Sequence, residues 1–131
     1  MGKRLRKTTG ISKSRKNSIL FGHYVYFKQL VDNIILFVGI THSEVVKIMD
    51  DIINTVALNN NINPKETDKK SYIVPRVYKG KREDIGAYEK NLKLSQKDEI
   101  AVNNFIDSSI PLDYEIENKK YKQYQREHKK K

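Results

Sequence analysis

The sequence predicts a mainly α-helical protein with a minor β element (α+β), in which a helical hairpin forms the core and basic arms extend from both ends. Three observations support this prediction. Apolar residues recur at helical spacing through residues 27–58, a helix-capping motif divides that segment in two, and the positive charge is concentrated at the two ends of the chain. Spacing of three and four residues places apolar side chains on one face of an α-helix.

The first predicted helix begins at Phe27. The apolar residues that share one face of it are Phe27, Leu30, Val31, Ile34, Ile35 and Val38. Gly39 follows them, and glycine commonly ends a helix because it adopts the left-handed conformation without strain. We therefore expect the first helix to end at this glycine.

A capping box marks the start of the second predicted helix. In Thr41-His42-Ser43-Glu44, the threonine hydroxyl and the glutamate carboxylate can each accept a hydrogen bond from an unpaired backbone N–H. Apolar residues then continue at helical spacing, at Val45, Ile48, Met49, Ile52, Ile53 and Val56. The pattern ends at Asn59, so residues 27–58 are predicted to form a helical hairpin that serves as a core or dimer-forming element.

The segments after the hairpin predict shorter elements. Residues 62–82 predict a loop and a β-leaning segment, in which Pro75 permits only an edge strand or an extended arm. Residues 83–107 predict two helices, and a capping signal at Ser95 begins the second. Beyond residue 112, tyrosines recur at helical spacing.

These elements define three predicted parts of the 131-residue chain. Residues 1–17 form a basic arm, residues 18–112 form one compact domain, and residues 113–131 form a basic, tyrosine-containing segment. A domain of this size has a small core, so self-association or docking on a partner is an expected source of stability.

Positive charge lies mainly in the two ends. Residues 1–17 carry seven cations and no acid, and residues 119–131 carry seven cations and one glutamate. The formal net charge is +10, so the part between the ends is slightly acidic. Because cations that displace condensed counterions give affinity for polyanions, the layout predicts a nucleic-acid partner, with DNA favoured over RNA.

The predicted nucleic-acid contacts are the basic residues of both ends and of a third cluster near Tyr72 and Tyr78. They are Lys3, Arg4, Arg6, Lys7, Lys13, Arg15, Lys16, Arg76, Lys79, Lys81, Arg82, Lys119, Lys120, Lys122, Arg126, Lys129, Lys130 and Lys131. An extended basic segment with aromatic residues can follow a phosphate backbone or stack on bases. The alternative is that the ends are solvated tails and that the third cluster is a surface hairpin.

Motifs for catalysis and metal binding are few. The chain has no cysteine, and none of its three histidines (His23, His42 and His128) has a second ligand four residues away. It contains no glycine-rich phosphate loop. The sequence therefore predicts a protein that is not an enzyme and that has no catalytic residue, metal site, cofactor or small-molecule substrate.

The sequence also predicts neither a membrane span nor a secretory signal. Residues 19–40 are apolar, but Lys28, Gln29, Asp32 and Asn33 interrupt them. We expect an intracellular protein of the cytoplasm or nucleoid, or a component of a virion. The excess of lysine over arginine is typical of AT-rich coding, as in low-GC bacteria, their phages and their plasmids.

One family resemblance accompanies these predictions. Leu30-Val31-Asp32 through Gly39-Ile40-Thr41, then Glu44-Val45 and the segment from Asp50 to Thr55, resemble the opening helix pair of the HU/IHF architectural DNA-binding family. The resemblance of residues 30–57 implies an intertwined dimer, with helices in the body and basic β-arms that bend DNA through the minor groove. It adds no binding residue to those above.

Taken together, these features predict a non-catalytic, architectural nucleic-acid-associated protein with little sequence preference, which forms a homo-oligomer. Two alternatives remain open. One is a structural subunit of a larger assembly, such as a phage head–tail or ring protein, and the other is an RNA-associated or ribosome-associated protein. Arms ordered by neighbouring subunits would bury their apolar residues, whereas arms ordered by nucleic acid would bind with a steep salt dependence.

Overall fold

The computed structural model describes residues 8–128, and this part of the chain contains nine strands and two α-helices. In chain order they are β1 (Thr9–Lys13), β2 (Tyr24–Gln29), β3 (Ile34–Thr41), β4 (Val45–Ile48), β5 (Asp51–Asn54), β6 (Val56–Ala57), β7 (Tyr72–Ile73), β8 (Tyr78–Lys81), α1 (Gln96–Ser108), β9 (Leu112–Asp113) and α2 (Tyr114–His128). A 3₁₀ turn over Arg82–Asp84 follows β8.

The main sheet is built around the long strand β3. Strands β1, β2 and β3 form an antiparallel meander. The other edge of β3 is shared, because β8 pairs with its residues 34–37 and β7 pairs with its last two residues. Strand β6 extends the sheet beyond β7, β9 lies parallel to β8, and β4 and β5 form a separate two-stranded ribbon.

The sheet curls until its two sides meet. After the 3₁₀ turn the backbone runs beside β1, where Ser14 and Ile85 form an antiparallel bridge. The Gly86 N–H donates to the Lys13 carbonyl oxygen at 2.8 Å, and the Glu89 N–H donates to the Ile11 carbonyl oxygen at 2.7 Å. These bonds join β1 to the segment that follows β8 and make a small barrel, in which backbone groups that would lie on an open edge are paired.

Both faces of the sheet are buried. Successive strand residues point to opposite faces, so Tyr26 and Phe27 in β2 belong to two different apolar clusters. The Tyr26 cluster includes Ile106 of α1, and the Phe27 cluster includes Tyr114 and Tyr121 of α2. Helices α1 and α2 therefore contribute to different clusters, on opposite faces of the sheet.

The predicted helical-hairpin fold class is wrong. Residues 27–58 form the end of β2 and the strands β3 to β6, so the described chain is mostly β. The reason is that both faces of β3 are covered, and Ile35, Leu36, Phe37 and Val38 consequently make a continuous apolar run. Such a run also matches the three- and four-residue spacing of a helix. Residues 30–57 therefore do not form the helix pair that the HU/IHF resemblance implies.

The predicted capping box is a turn. Thr41 is the last residue of β3, and its Oγ1 accepts a hydrogen bond from the Ser43 N–H at 3.2 Å. A threonine hydroxyl satisfies a nearby N–H in a turn by the same chemistry that it uses at a helix end. Gly39, predicted to end a helix, lies within β3, where an added Cβ would touch Leu20 and Val74.

The remaining predicted elements agree with the structure only in part. The helix predicted to begin at Ser95 is confirmed as α1, and the serine Oγ accepts from the Asp98 N–H at 3.2 Å. The helix predicted in residues 83–94 is wrong, because apart from the 3₁₀ turn this segment is not helical. Strand β1 lies inside the segment predicted as the N-terminal arm, and the tyrosines of the last segment lie on α2.

Gly80 allows a close approach between β8 and α2. A Cβ added to it would lie 2.8 Å from Asp84 Oδ2 and 3.3 Å from Tyr114 Cβ. We expect Gly80→Ala to lower the free energy of unfolding by about 1–3 kcal/mol, measured by urea denaturation, because an extra methyl group here forces the neighbours apart. Lys79→Ala, an exposed change on the same strand, should stay within about 0.5 kcal/mol, and equal effects of the two substitutions would contradict this account.

Candidate nucleic-acid interface

A surface cleft of about 680 Å³ lies at the C-terminal end of α2. Three separate segments form its walls: the last two turns of α2, the loop between β1 and β2, and the β4–β5 ribbon. The side chains that matter chemically are three cations and three aromatic rings. They are Lys47, Lys122, Arg126, Phe21, Tyr121 and Tyr124.

The position of α2 over the barrel follows from its sequence. Tyr114, Glu117 and Tyr121 are buried and recur at three- and four-residue spacing, so they share the face that contacts the barrel. The Tyr114 ring packs edge-to-face on Phe37 with 4.8 Å between ring centroids. With this face buried, the exposed sides of the helix carry most of its lysines and Arg126.

The electrostatic character of the cleft is positive. None of the described residues that line it is Asp or Glu. A carboxylate does lie at its rim, where the Tyr124 hydroxyl donates to Asp50 Oδ1 at 3.2 Å. Because this lining has no carboxylate, its cations can attract an anionic ligand, although Lys122 also borders a second cleft, and Arg126 donates to Gln123 Oε1 at 2.7 Å.

The aromatic rings of the cleft differ in exposure. Phe21 is 45% exposed and packs perpendicular to Tyr121, with 5.2 Å between the ring centroids. Tyr124 stacks on His128 at 4.0 Å. Tyr121 is buried, and burial raises the pKa of its hydroxyl. The cleft therefore combines a buried aromatic floor with a half-exposed phenyl ring.

A second cleft, of about 610 Å³, lies between β8 and the first part of α2. It brings together four of the predicted binding residues with an equal number of carboxylates. The cations are Lys79, Lys81, Lys119 and Lys122, and the acids are Glu83, Asp84, Asp113 and Glu115. Lys119 lies 3.9 Å from Glu115, so this cleft is close to neutral and attracts anions less than the first one.

Three of the predicted binding arginines hold the fold together. Arg76 forms a 3.2 Å salt bridge with Asp51 of the ribbon. Arg82 lies over the Phe27 ring, 4.7 Å from its centroid, and burial lowers the pKa of its guanidinium. Arg15 donates to the Glu83 carbonyl oxygen at 2.9 Å. In the described structure, these contacts join separate segments of the chain to one another.

The other predicted residues are dispersed. Lys13 and Lys16 are exposed on β1 and on the loop after it, and Lys120 forms a 3.2 Å salt bridge with Glu117. Predicted contacts at both chain ends lie outside the described residues. These are Lys3, Arg4, Arg6, Lys7, Lys129, Lys130 and Lys131.

Sequence reasoning missed Phe21, Lys47 and Tyr124 as site residues. Lys47 falls within the second predicted helix, where the structure has strand β4, and Phe21 falls before the first predicted helix, where no element is predicted. One local signal was present, because Phe21 is followed by Gly22, and glycine after an aromatic residue is compatible with a tight turn.

Histidines and acids do not gather into a metal site within residues 8–128, where no group of three or more His, Cys, Asp or Glu side chains could hold a metal ion. Burial and the nearby charge of His42 lower the pKa of His23. Within the same residues, no helix is long and apolar enough to cross a membrane.

Comparison with known proteins gives no family for this chain. No protein-family model matches it, and neither the curated proteins nor the solved structures include a match.

Proposed function

We propose that the protein binds nucleic acid, without catalysis and with little sequence preference, through the α2 cleft assisted by the basic ends of the chain. The observation that supports this function is the joint presence of Lys47, Lys122 and Arg126 with aromatic rings in one cleft, where the lining residues among 8–128 include no carboxylate. DNA is the expected partner, and RNA is included in the test.

The physical basis of the proposal is the pairing of two kinds of contact. Lysine and arginine neutralise phosphates and release counterions, which gives affinity without sequence information. Exposed aromatic rings stack on bases, which every base permits because each has a π-face. A cleft of about 680 Å³ also lies within the size range of small-ligand sites, so it can hold part of a nucleotide chain.

A structural subunit of a larger assembly remains the second candidate, and one observation favours it. Val45 and Ile52 lie on the outward face of the β4–β5 ribbon, and Ile52 is 74% exposed. Val56, which follows the ribbon, is also exposed. Exposed apolar side chains this close together are typical of surfaces that contact another protein.

The test of the proposed function is a binding titration of the full chain with labelled DNA and RNA oligonucleotides, followed by fluorescence anisotropy at about 50 and 200 mM salt. We expect Lys122→Gln with Arg126→Gln to weaken binding about tenfold at the lower salt. We also expect the slope of log K against log salt concentration to become less steep by about one to two, because two phosphate contacts are lost.

The matched control is Lys90→Gln with Lys97→Gln, which removes the same charge from exposed lysines outside both clefts. This variant should bind almost as tightly as the unchanged chain. Equal weakening by both pairs would mean that only total charge matters and would remove the cleft from the proposal. A full chain that forms a discrete oligomer by light scattering and binds no oligonucleotide would favour the assembly subunit.

A further inference from the structure

We infer that the α2 cleft binds an unpaired base stacked on Phe21, so that the ligand is a single-stranded nucleic acid. This inference rests on the proposed function and adds to it the form of the nucleic acid and a specific contact residue. It is carried by the backbone conformation of Phe21 together with the surroundings of its ring.

Phe21 has a left-handed backbone conformation, with φ of 56°, and Gly22 follows with φ of 83°. Bulky residues rarely adopt this conformation, which asparagine and glycine tolerate better. Within residues 8–128 only Asp32 and Met49 are other non-glycine residues with positive φ, and Met49 also lines the α2 cleft. Two strained backbone positions therefore border the same cleft, and strained positions cluster at functional sites.

The loop around Phe21 is held rigidly. Ile19 and Leu20, directly before it, are buried in the core. The Ile19 N–H donates to Asn118 Oδ1 of α2 at 2.8 Å, and the Phe21 N–H donates to the Ser18 carbonyl oxygen at 2.9 Å. These contacts fix the position of the loop backbone, and the two residues before Phe21 supply its buried apolar side chains.

Burial of the Phe21 ring does not account for this conformation. The ring remains 45% exposed, and its main aromatic contact, with Tyr121, is perpendicular. The strained turn holds a large apolar ring half in solvent at the edge of a positive cleft. This placement is expected if a bound ligand covers the exposed face of the ring. Base stacking on an aromatic side chain is the interaction that such a ring offers to nucleic acid.

The form of the nucleic acid follows from the geometry of stacking. In a duplex the faces of the bases are covered by their neighbours, so a protein ring reaches a face only if a base leaves the stack. In a single strand the faces are available without that cost. Lys122 and Arg126 line the same cleft as Phe21 and can neutralise the phosphates beside the stacked base.

The experiment compares three labelled ligands on the full chain: oligothymidine, oligouridine and a duplex of the same length, each about 12 nucleotides or base pairs. We expect the DNA or RNA single strand to bind at least about tenfold tighter than the duplex. We expect Phe21→Leu to weaken single-strand binding about five- to tenfold, since one stacked base is lost, and Phe21→Tyr to bind within about twofold of the unchanged chain.

A spectroscopic readout separates stacking from general loss of affinity. A strand that contains 2-aminopurine should lose fluorescence on binding to the unchanged chain and to Phe21→Tyr, and should keep it with Phe21→Leu. Circular dichroism of each variant confirms that it is folded.

If Phe21→Leu binds like the unchanged chain, or if duplex binds as well as the single strand, the inference is overturned while the effect of the Lys122 and Arg126 changes still stands. If none of the three ligands binds, the proposed function fails as well.

Discussion

Replacing Asp98 with alanine is expected to lower the free energy of unfolding by about 3 kcal/mol, because the Asp98 carboxylate is a buried hydrogen-bond acceptor for several donors. The residue is 2% exposed and lies in the first turn of α1. Its oxygens accept from the Asn59 N–H at 2.8 Å, from the Asn60 N–H at 3.0 Å and from the Ser95 hydroxyl at 3.1 Å.

These bonds connect two parts of the chain that are far apart in sequence. Asn59 and Asn60 begin the loop that follows β6, and Asp98 fixes that loop to the N-terminus of α1. Hydrogen bonds to a charged group contribute about 1.5–3 kcal/mol each, and the N-terminus of a helix also favours negative charge. The estimate of about 3 kcal/mol allows for water that reaches the exposed asparagines after the carboxylate is removed.

The measurement is urea denaturation at neutral pH with two comparison variants. Ser95→Ala removes the N-cap alone and should cost about 1 kcal/mol. Asp98→Asn keeps the shape, but it turns an acceptor-only group into one that is half donor, so an intermediate loss is expected. If Asp98→Ala costs no more than Ser95→Ala, the bonds to Asn59 and Asn60 contribute nothing measurable.

The pH dependence supplies a second check. Burial alone would raise the pKa of Asp98, but the hydrogen bonds from Asn59 and Asn60 outweigh it and lower the pKa below its usual 3.8. The folded protein therefore holds this proton less tightly than the unfolded chain. The stabilisation is present above pH 3.8 and is lost as the pH falls through the lowered pKa, so the difference between the unchanged chain and Asp98→Asn should shrink in acid.

The two helices were predictable from local features. Ser95 and Asp98 form a cap that acts within one turn, and the buried residues of α2 recur at helical spacing without a competing pattern. The strands were not predictable in the same way. Residues 34–38 are apolar without alternation because α1 covers one face of the sheet and α2 covers the other.

The N-terminal segment was predicted to be exposed, and part of it is buried. Its serines and lysines predicted an exposed arm, yet Ile11 and Ser12 of β1 are fully buried, and so is nearly all of Ser14. The Ser14 hydroxyl donates to the His23 carbonyl oxygen at 2.8 Å, which offsets the cost of burying it. Composition alone does not show that such a partner exists, because the partner comes from another segment.

The candidate site was predictable only in part, for a related reason. Lys122 and Arg126 belong to a visibly basic segment, and both line the α2 cleft. Phe21 and Lys47 come from two other segments, which are brought together by the barrel and not by proximity in sequence. A site assembled from a loop, a ribbon and a helix becomes visible once the fold is known.

The second large effect is expected from Tyr78, whose ring is fully buried in β8. Its hydroxyl makes no hydrogen bond of good geometry among residues 8–128, and the Arg76 guanidinium is near enough for only a weak hydrogen bond and an effect of its charge. An unpaired buried hydroxyl costs about 1–3 kcal/mol, so Tyr78→Phe should be neutral or should raise the free energy of unfolding at pH 7 by about 1 kcal/mol.

Tyr78→Phe should also remove a loss of stability in alkali. Burial, the largest influence, raises the pKa of Tyr78 from 10.0 to about 12, and the charge of Arg76 opposes it. The folded chain therefore keeps this proton while the unfolded chain releases it, so unfolding becomes easier as the pH rises from 10 to 12. Two pH units correspond to about 2–3 kcal/mol. Urea denaturation of both proteins should give a constant difference between pH 7 and 9 and a difference that grows in favour of Tyr78→Phe above pH 10. Parallel losses in the two proteins would show that this hydroxyl does not govern the alkaline transition.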